Sequence, residues 1–360
     1  MKIFFDYRIF LHQAGGGISR YIINLSKSFN EKNLKNEIIA PIHINRMLKD
    51  YSLNLKKNVG FFINRKPLFT SKILDYVNSF STQLYINKIR PNVYHKTYYG
   101  SFPNLKKTTK VVTVHDLIHE KFHEYYGMPE NYRPKKKSLE QADKIICVSK
   151  TTKEDLLNFY NLDEKKIKVI NHGHEHILNL TKKKNLNKKK EILYVGGRGK
   201  YKNFKNFVQA FVFNQKLKNE FRIVCFGGGV FNKSEINFFS KNNILDKIRY
   251  VEGNDYKLAE LYNSSICLVY PSLYEGFGLP IIEAMAIGCP VLASEIKPII
   301  ETAGDAVIYF NPKKIEDISQ KLEFFLYQNN KNKIIEQGFK KVEKFRWSNC
   351  AKETLNFYDA

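Results

Sequence analysis

The sequence predicts an α/β protein built of two doubly wound domains, and three observations carry that expectation. Short β-branched or aromatic runs alternate with amphipathic helical stretches almost throughout, the pattern of βα units around a parallel sheet. Several of those runs are apolar without a break, as strands covered on both faces are. A chain of 360 residues with 43% hydrophobic content has enough apolar surface for two cores, since a domain takes roughly 100–200 residues.

In chain order, the first strand series is expected at residues 2–6, 37–42, 93–95, 110–115, 144–149 and 167–170. The second is expected at 191–195, 222–226, 248–251, 266–270, 291–294 and 306–310. Helices fit between them at 19–29, 153–160, 203–214, 280–287 and 315–328. Between the two series lies Asn179-Leu180-Thr181-Lys182-Lys183-Lys184-Asn185-Leu186-Asn187-Lys188-Lys189-Lys190. It is polar, cationic and without periodicity, hence a linker. The expected organisation is a first domain over 1–178, a linker over 179–190, a second domain over 191–340 and a C-terminal helix over 341–360.

The net charge is +24, from 59 Lys+Arg against 35 Asp+Glu. Most of the basic residues are lysines spread along the chain, and compositional bias alone would produce part of the excess. Nucleic-acid binding is not expected, because it would interleave arginines and aromatics in a compact module. Solvated helix faces account for most of the lysines; an anionic membrane surface or an acidic acceptor is the second reading. No apolar run approaches the ~18–20 residues of a membrane span. The start, Met1-Lys2-Ile3-Phe4-Phe5-Asp6, is charged too early for a signal-peptide core. Five cysteines stand far apart with no CxxC pair, which suits reduced thiols in a cytoplasmic protein.

The most informative stretch is Tyr270-Pro271-Ser272-Leu273-Tyr274-Glu275-Gly276-Phe277-Gly278-Leu279-Pro280-Ile281-Ile282-Glu283-Ala284. A buried strand ends at Pro271, a glycine loop follows, and Pro280 suits the first turn of a new helix. The unpaired N–H groups at that start, with Gly276 and Gly278 permitting close approach, would receive a phosphate. Glu275 and Glu283 bracket this cradle and can accept hydrogen bonds from vicinal diols of a ribose and a sugar.

This stretch resembles the E-x7-E element of retaining nucleotide-sugar glycosyltransferases of the GT-B fold, family 4 type. The resemblance implies two Rossmann-like domains facing an interdomain cleft, with the donor in the C-terminal domain and the acceptor in the N-terminal one. By position, Glu275 would contact the donor sugar and Glu283 the nucleotide ribose, with Phe277, Gly278 and Leu279 along the sugar and diphosphate. Similar enzymes also place an Arg and a Lys five positions apart after the first strand of the second domain. Here Gly196-Gly197-Arg198-Gly199-Lys200-Tyr201-Lys202 matches the Lys at Lys202, while Arg198 stands one residue after the usual Arg position. Both would clamp the diphosphate. The segment is not a P-loop, since Gly199-Lys200 is followed by Tyr201.

In the first domain, Gly15-Gly16-Gly17-Ile18-Ser19-Arg20 misses GxGxxG, having Arg20 in place of the third glycine. In the resembling family this loop lies near the donor phosphates, which assigns Gly16 and Gly17 to donor binding. Val114-His115-Asp116 sets His115 at the carboxyl end of a strand, where open α/β sheets bind ligands. The family commonly has an HD pair here, its His near the donor sugar; Asp116 would orient the His or cap the loop.

His119-Glu120-Lys121-Phe122-His123 is a literal HExxH, but zinc chemistry needs both His on one long helix plus a third ligand. Gly127, Pro129 and Pro134 forbid that helix, so no metal is expected. His172-Gly173-His174-Glu175-His176 reads as a cleft loop with adventitious nickel or zinc affinity. The aromatic run Tyr94–Pro103 suits sugar stacking and loop packing equally. The tail from Phe345 to Ala360 resembles the family's closing segment, which crosses back onto the first domain.

The implied activity is transfer of a hexosyl unit, mannosyl favoured, from a GDP- or UDP-linked sugar to a saccharide or lipid-linked acceptor in surface polysaccharide synthesis. The nucleotide diphosphate sugar is a co-substrate, and no cofactor is implied. A nucleotide-sugar epimerase or phosphorylase of the same fold, and a non-catalytic basic membrane adaptor, are the alternatives. If the charge serves a membrane, at the inner face where a cytoplasmic enzyme would dock peripherally, it should concentrate on the N-terminal domain, around Lys56-Lys57 and Arg65-Lys66.

Overall fold

The computed structural model describes residues 1–55, 59–126, 133–180, 188–328 and 331–360. They divide into two compact units, Met1–His172 with Trp347–Ala360, and Gly173–Arg346. Residues 181–187 of the expected linker lie outside the described residues.

The first unit holds strands β1 (Lys2–Phe5), β2 (Lys35–Ile38), β3 (Ile42–His43), β4 (Phe61–Phe62), β5 (Val93–Lys96), β6 (Thr109–Val114), β7 (Lys144–Cys147) and β8 (Ile167–Val169). Six of them form one sheet in the order β2-β1-β5-β6-β7-β8, while β3 and β4 pair separately. Every pairing in the large sheet is parallel, with Phe4 opposite Tyr94 and Val111 opposite Lys144. Successive side chains on β1 serve opposite faces. Ile3 and Phe5 pack with Tyr21, Leu25 and Phe29 of the helix Gly17–Glu31. Phe4 packs with Tyr94, Val112 and Ile145 on the other side. Both faces are therefore covered, which is why these strands read as unbroken apolar runs. The helix Trp347–Asp359 packs against Gly17–Glu31 in this unit and gives its core Trp347, Ala351, Phe357 and Tyr358.

The second unit holds β9 (Lys189–Val195), β10 (Arg222–Phe226), β11 (Ile248–Val251), β12 (Ser265–Tyr270), β13 (Val291–Ser294) and β14 (Ile308–Phe310). They form a six-stranded sheet in the order β11-β10-β9-β12-β13-β14, again parallel throughout. Its core joins Tyr194, Phe207, Phe211 and Leu217 to Cys267, Val269, Leu292 and Phe325. All five cysteines are buried and outside any disulfide.

All twelve expected strands are present, with ends displaced by a few residues, and the two-residue strands β3 and β4 are additional. In each large sheet the strand order reverses once, between β1 and β5 and between β9 and β12. Helices leave such a pair on opposite faces, and the crevice at the carboxyl ends is where open α/β sheets take ligands.

The excess charge is shared almost evenly. The first unit carries 31 Lys+Arg against 17 Asp+Glu and the second 28 against 18. These totals give neither unit a marked excess; of the expected local cluster, Lys56 and Lys57 lie outside the described residues.

Candidate active site

In the second unit the reversal point brings together the loops after β9 and β12. β9 ends at Val195, and Gly196, Gly197 and Gly199 lead into a single 3-10 turn, Lys200–Lys202, before the helix Phe204–Phe213. The Leu273 N–H donates to the Tyr201 carbonyl at 2.7 Å, tying this turn to the loop after β12. Across that seam the Lys202 ammonium meets Glu275 Oε1 at 2.6 Å and lies 5.5 Å from the Tyr270 ring centre. Glu275 is buried. Burial and the neighbouring Glu275 carboxylate push the Tyr270 hydroxyl well above its ordinary pKa, so it stays protonated. A carboxylate facing a cation on a desolvated seam costs free energy unless both are paired, and the pair holds both groups at the mouth of the crevice.

The helix Leu279–Ile287 starts beside Glu275, with Gly278 as its N-cap at φ +94 and proline in its first turn. Its residues from Ile281 to Ile287 are buried, so the helix is held by packing on all sides. The Thr302 hydroxyl donates to the Phe277 carbonyl at 2.7 Å and fixes the loop before it. The Phe277 ring is buried, edge-on to Phe345 at 5.4 Å; a ligand at this loop would meet its backbone. Leu279 is half-buried, and Gly276 is buried beside Glu275.

Glu283 sits one turn inside this helix and is 1% exposed. Its Oε2 accepts from the Tyr262 hydroxyl at 3.0 Å, and its Oε1 lies 2.9 Å from His176 Nε2. These two bonds fix the orientation of the carboxylate at the start of the helix. Tyr262 and His176 were not among the residues singled out for this role. Nothing local marks Tyr262, whereas His176 stood in the conspicuous His cluster.

Arg198 is built into its surroundings. Its Nε donates to Glu235 at 2.7 Å, and Nη1 and Nη2 donate to the Gly227 and Val230 carbonyls, each at 3.0 Å. The guanidinium also lies 4.8 Å from the Phe231 ring centre. These bonds brace the glycine loop after β10, and most of its five donors are already used.

In the first unit Gly16 caps the helix Gly17–Glu31, whose first residue is Gly17. Space above Gly17 is open: an added Cβ would meet nothing within 4 Å. His115 follows β6 directly, edge-on to Tyr21 at 5.2 Å and stacked on His172 at 5.6 Å. Burial, reinforced by the neighbouring His172, His95 and Lys135, holds its pKa well below the usual value, so its imidazole is neutral. Asp116 caps the following turn by accepting the Ile118 N–H at 3.2 Å.

Sequence reasoning passed over a buried polar cluster at the β1–β5 reversal. Asp6 accepts from Tyr94 Oη at 3.1 Å, from the Thr97 N–H at 2.9 Å and from Thr97 Oγ1 at 2.5 Å. Beside it Lys96 donates to the Ser101 carbonyl, and burial lowers its pKa to about 7. The available signal was the abrupt change from apolar to polar residues at each strand end.

The HExxH residues divide between the short helices Ile118–Lys121 and His123–Tyr126. Glu120 is buried against Lys135 at 2.8 Å and accepts from the Tyr160 hydroxyl at 2.7 Å, which makes it a structural carboxylate. Gly127 and Pro129 lie outside the described residues. In the second His cluster the three imidazoles go to three places: His172 to His115, His174 to the Phe345 carbonyl at 2.7 Å, and His176 to Glu283. Among the described residues no three His, Cys, Asp or Glu side chains are placed to hold a metal ion. No helix among them is long and apolar enough to cross a membrane.

Comparison with known proteins adds the following. Residues 178–342 match the family Glycosyl transferases group 1, and residues 15–176 match Glycosyltransferase Family 4. The chain is 26% identical to the O-antigen chain mannosyltransferase B of Escherichia coli over 69% of each chain. It is 32% identical to the O-antigen chain mannosyltransferase RfbU of Salmonella typhimurium over 60% of each. Its fold superposes on Anabaena Alr3699/HepE, solved in complex with UDP and glucose, with a TM-score of 0.76 over 100% of both chains at 14% identity.

Proposed function

Since the chain belongs to the group 1 glycosyltransferases of the GT-B fold, we propose that it moves a hexosyl unit, mannosyl in preference, from a nucleotide diphosphate sugar to a saccharide or lipid-linked acceptor, with retention at the anomeric carbon. The observation that carries this reading is the Lys202–Glu275 pair at 2.6 Å, one helix turn from Glu283, at the strand-order reversal of the second unit. The E. coli and S. typhimurium relatives, both O-antigen chain mannosyltransferases, support mannose and a surface polysaccharide. The UDP in the HepE complex keeps uridine beside guanosine as the donor base.

The bond from the anomeric carbon to the diphosphate breaks and the acceptor oxygen bonds to that carbon on the same face. The acceptor's proton passes to the departing diphosphate. Charge grows on that diphosphate in the transition state, so a fixed cation and a helix N-terminus aimed at it lower the barrier. Lys202 and the start of Leu279–Ile287 take this role, with Arg198 bracing the neighbouring loop; Glu283 holds the ribose and Glu275 the sugar. In the first unit, a neutral His115 donates to or accepts from a sugar hydroxyl, and the open backbone at Gly17 admits phosphate, with Gly16 as the preceding helix cap. The reading needs no metal and no cofactor. Buried thiols outside any disulfide favour the reducing cytoplasmic side.

The test is a thermal-shift panel of GDP, UDP and ADP, followed by product analysis with the matching nucleotide sugar. One nucleotide is expected to stabilise by about 2.7 kcal/mol at 100 times its dissociation constant, and Glu283→Ala to abolish that response. A donor converted to its epimer without transfer would make the protein an epimerase. No response to any nucleotide would favour the non-catalytic adaptor.

A further inference from the structure

The helix Ser71–Ile89 of the first unit carries apolar residues on the face turned to water as well as on the face turned to the core. Its inward face carries Asn78, Thr82 and Ile86, all buried. Asn78 grips β3, accepting the Ile42 N–H at 2.7 Å and donating to the Ile42 carbonyl at 3.0 Å. Its outward face carries Ile73, Tyr76, Val77, Phe80 and Leu84, all exposed. At 3.6 residues per turn these five fall within an arc of about 100°. Leu68 and Phe69, just before the helix, extend the same apolar surface, with Phe69 98% exposed. A soluble helix turns its apolar stripe to the core and its polar face outward, and exposed apolar patches of this extent mark an interaction surface.

Charge identifies the occupant. Lys72 and Lys88 lie about 80° to either side of Phe80 on the same wheel, and both are exposed. Between residues 61 and 90 there are five basic residues, Arg65, Lys66, Lys72, Lys88 and Arg90, against the single acid Asp75. Asp75 is turned toward the unit, accepting from the Tyr7 hydroxyl at 2.9 Å and facing Arg8 at 3.6 Å. An apolar stripe bordered by lysines and free of acids is the pattern of a helix lying in the headgroup boundary of an anionic bilayer. A protein partner would need no such cationic border. The even spread of charge over the two units makes total charge a poor guide here, whereas the stripe is local.

We propose that the face of Ser71–Ile89 bearing Tyr76, Phe80 and Leu84, with Leu68 and Phe69, docks onto an anionic lipid surface. Asp75 ties the start of this helix to the carboxyl end of β1, and the Lys2 ammonium bonds the Ile89 carbonyl near the other end at 3.4 Å. The helix therefore runs antiparallel to β1 and brings its first turn to the ligand-binding end of that sheet, where the headgroup of a lipid-linked acceptor would arrive.

Vesicle binding rests on the stripe and not on the transferase reading, so it is measured without any sugar donor. The full chain is sedimented with phosphatidylcholine vesicles, with and without phosphatidylglycerol. Binding is expected only with the anionic lipid. Tyr76→Ser with Phe80→Ser should weaken it by about tenfold or more, and Lys72→Glu with Lys88→Glu should remove the preference for anionic lipid. Both substituted pairs are exposed, so thermal midpoint and nucleotide response should match the parent chain. The proposal is overturned if the chain ignores anionic vesicles, or if both double variants bind them as the parent does. It is also overturned if sedimentation equilibrium finds a dimer that Tyr76→Ser with Phe80→Ser dissolves and that excludes vesicles. Vesicle binding without any nucleotide response would sink the transferase reading alone.

Discussion

Among the described residues Lys202 pairs with the Glu275 carboxylate, and Glu275 depends on it in return. Lys202→Ala leaves that buried carboxylate short of its cation and strips the charge that would face a diphosphate. Hydrogen bonds to charged groups contribute about 1.5–3 kcal/mol, so kcat/KM should fall roughly 10- to 100-fold. An unchanged value in a steady-state assay would remove Lys202 from the chemistry. Gly17 supplies a complementary case. Its added Cβ meets nothing within 4 Å, so Gly17→Ala should leave the unfolding free energy within about 0.5 kcal/mol of the parent. If a phosphate approaches that backbone, the methyl group intrudes and turnover drops by about tenfold or more. Full activity would free the loop from ligand binding. Neither outcome could be forecast from the glycine run alone, because glycines also end strands; the open space decides what the test means.

Among the elements, the helix Leu279–Ile287 is the one whose placement matters most, and its start hangs on Gly278. With φ at +94 and an added Cβ 3.2 Å from Ile281 Cδ1, Gly278→Ala forces a left-handed residue into a tight spot. The expected cost is about 1–2 kcal/mol, seen as a fall of a few degrees in melting temperature. Nucleotide affinity should fall with it, because the same backbone aims the helix N-terminus. A stable variant with full affinity would mean that the helix start does not face the ligand. This element was legible in advance, since a strand, a glycine loop and a proline follow one another within a dozen residues. The strand ends were less so. His115 and Ser149 continue β-prone runs, yet β6 stops at Val114 and β7 at Cys147, because the chain leaves the sheet where the neighbouring strand ends. The orientation of Ser71–Ile89 was not legible either, as apolar residues lie on both of its faces and periodicity cannot say which one meets the core.

At the scale of the whole molecule, the first unit is closed by the chain's end. His95 lies between Thr113 Oγ1 at 2.8 Å and the Tyr358 hydroxyl at 2.5 Å, and burial lowers its pKa to about 3. His43 is likewise lowered to about 4 by burial. The native unit refuses protons that the unfolded chain accepts, so stability is complete above the unfolded histidine pKa of about 6.5. It is lost progressively as pH falls below that value toward 4 and then 3. Trp347, the only tryptophan in the chain, is buried in this unit, so urea titrations followed by its fluorescence report the unit directly. His95→Gln should flatten the acid slope between pH 6 and 4; an unaltered slope would show that other groups govern it. Phe357→Ala in the closing helix should cost about 3–5 kcal/mol in the same assay, and a negligible loss would detach that helix from the core.

Local chemistry determined the two series of strands, the helix after Gly278 and the spacing of Glu275 and Glu283, because each depends on residues within a few turns of one another. Only the folded chain decided the partners. Lys202 reaches Glu275 across 73 residues, His176 reaches Glu283 across 107 and His95 reaches Tyr358 across 263. The strand order chose the first of these pairs, since it set which loops share the carboxyl end of the sheet; helix packing chose the other two. Burial then made the pairing necessary: a carboxylate or imidazole withdrawn from water must find a partner or lose its charge, and no run of sequence says which distant residue stands there.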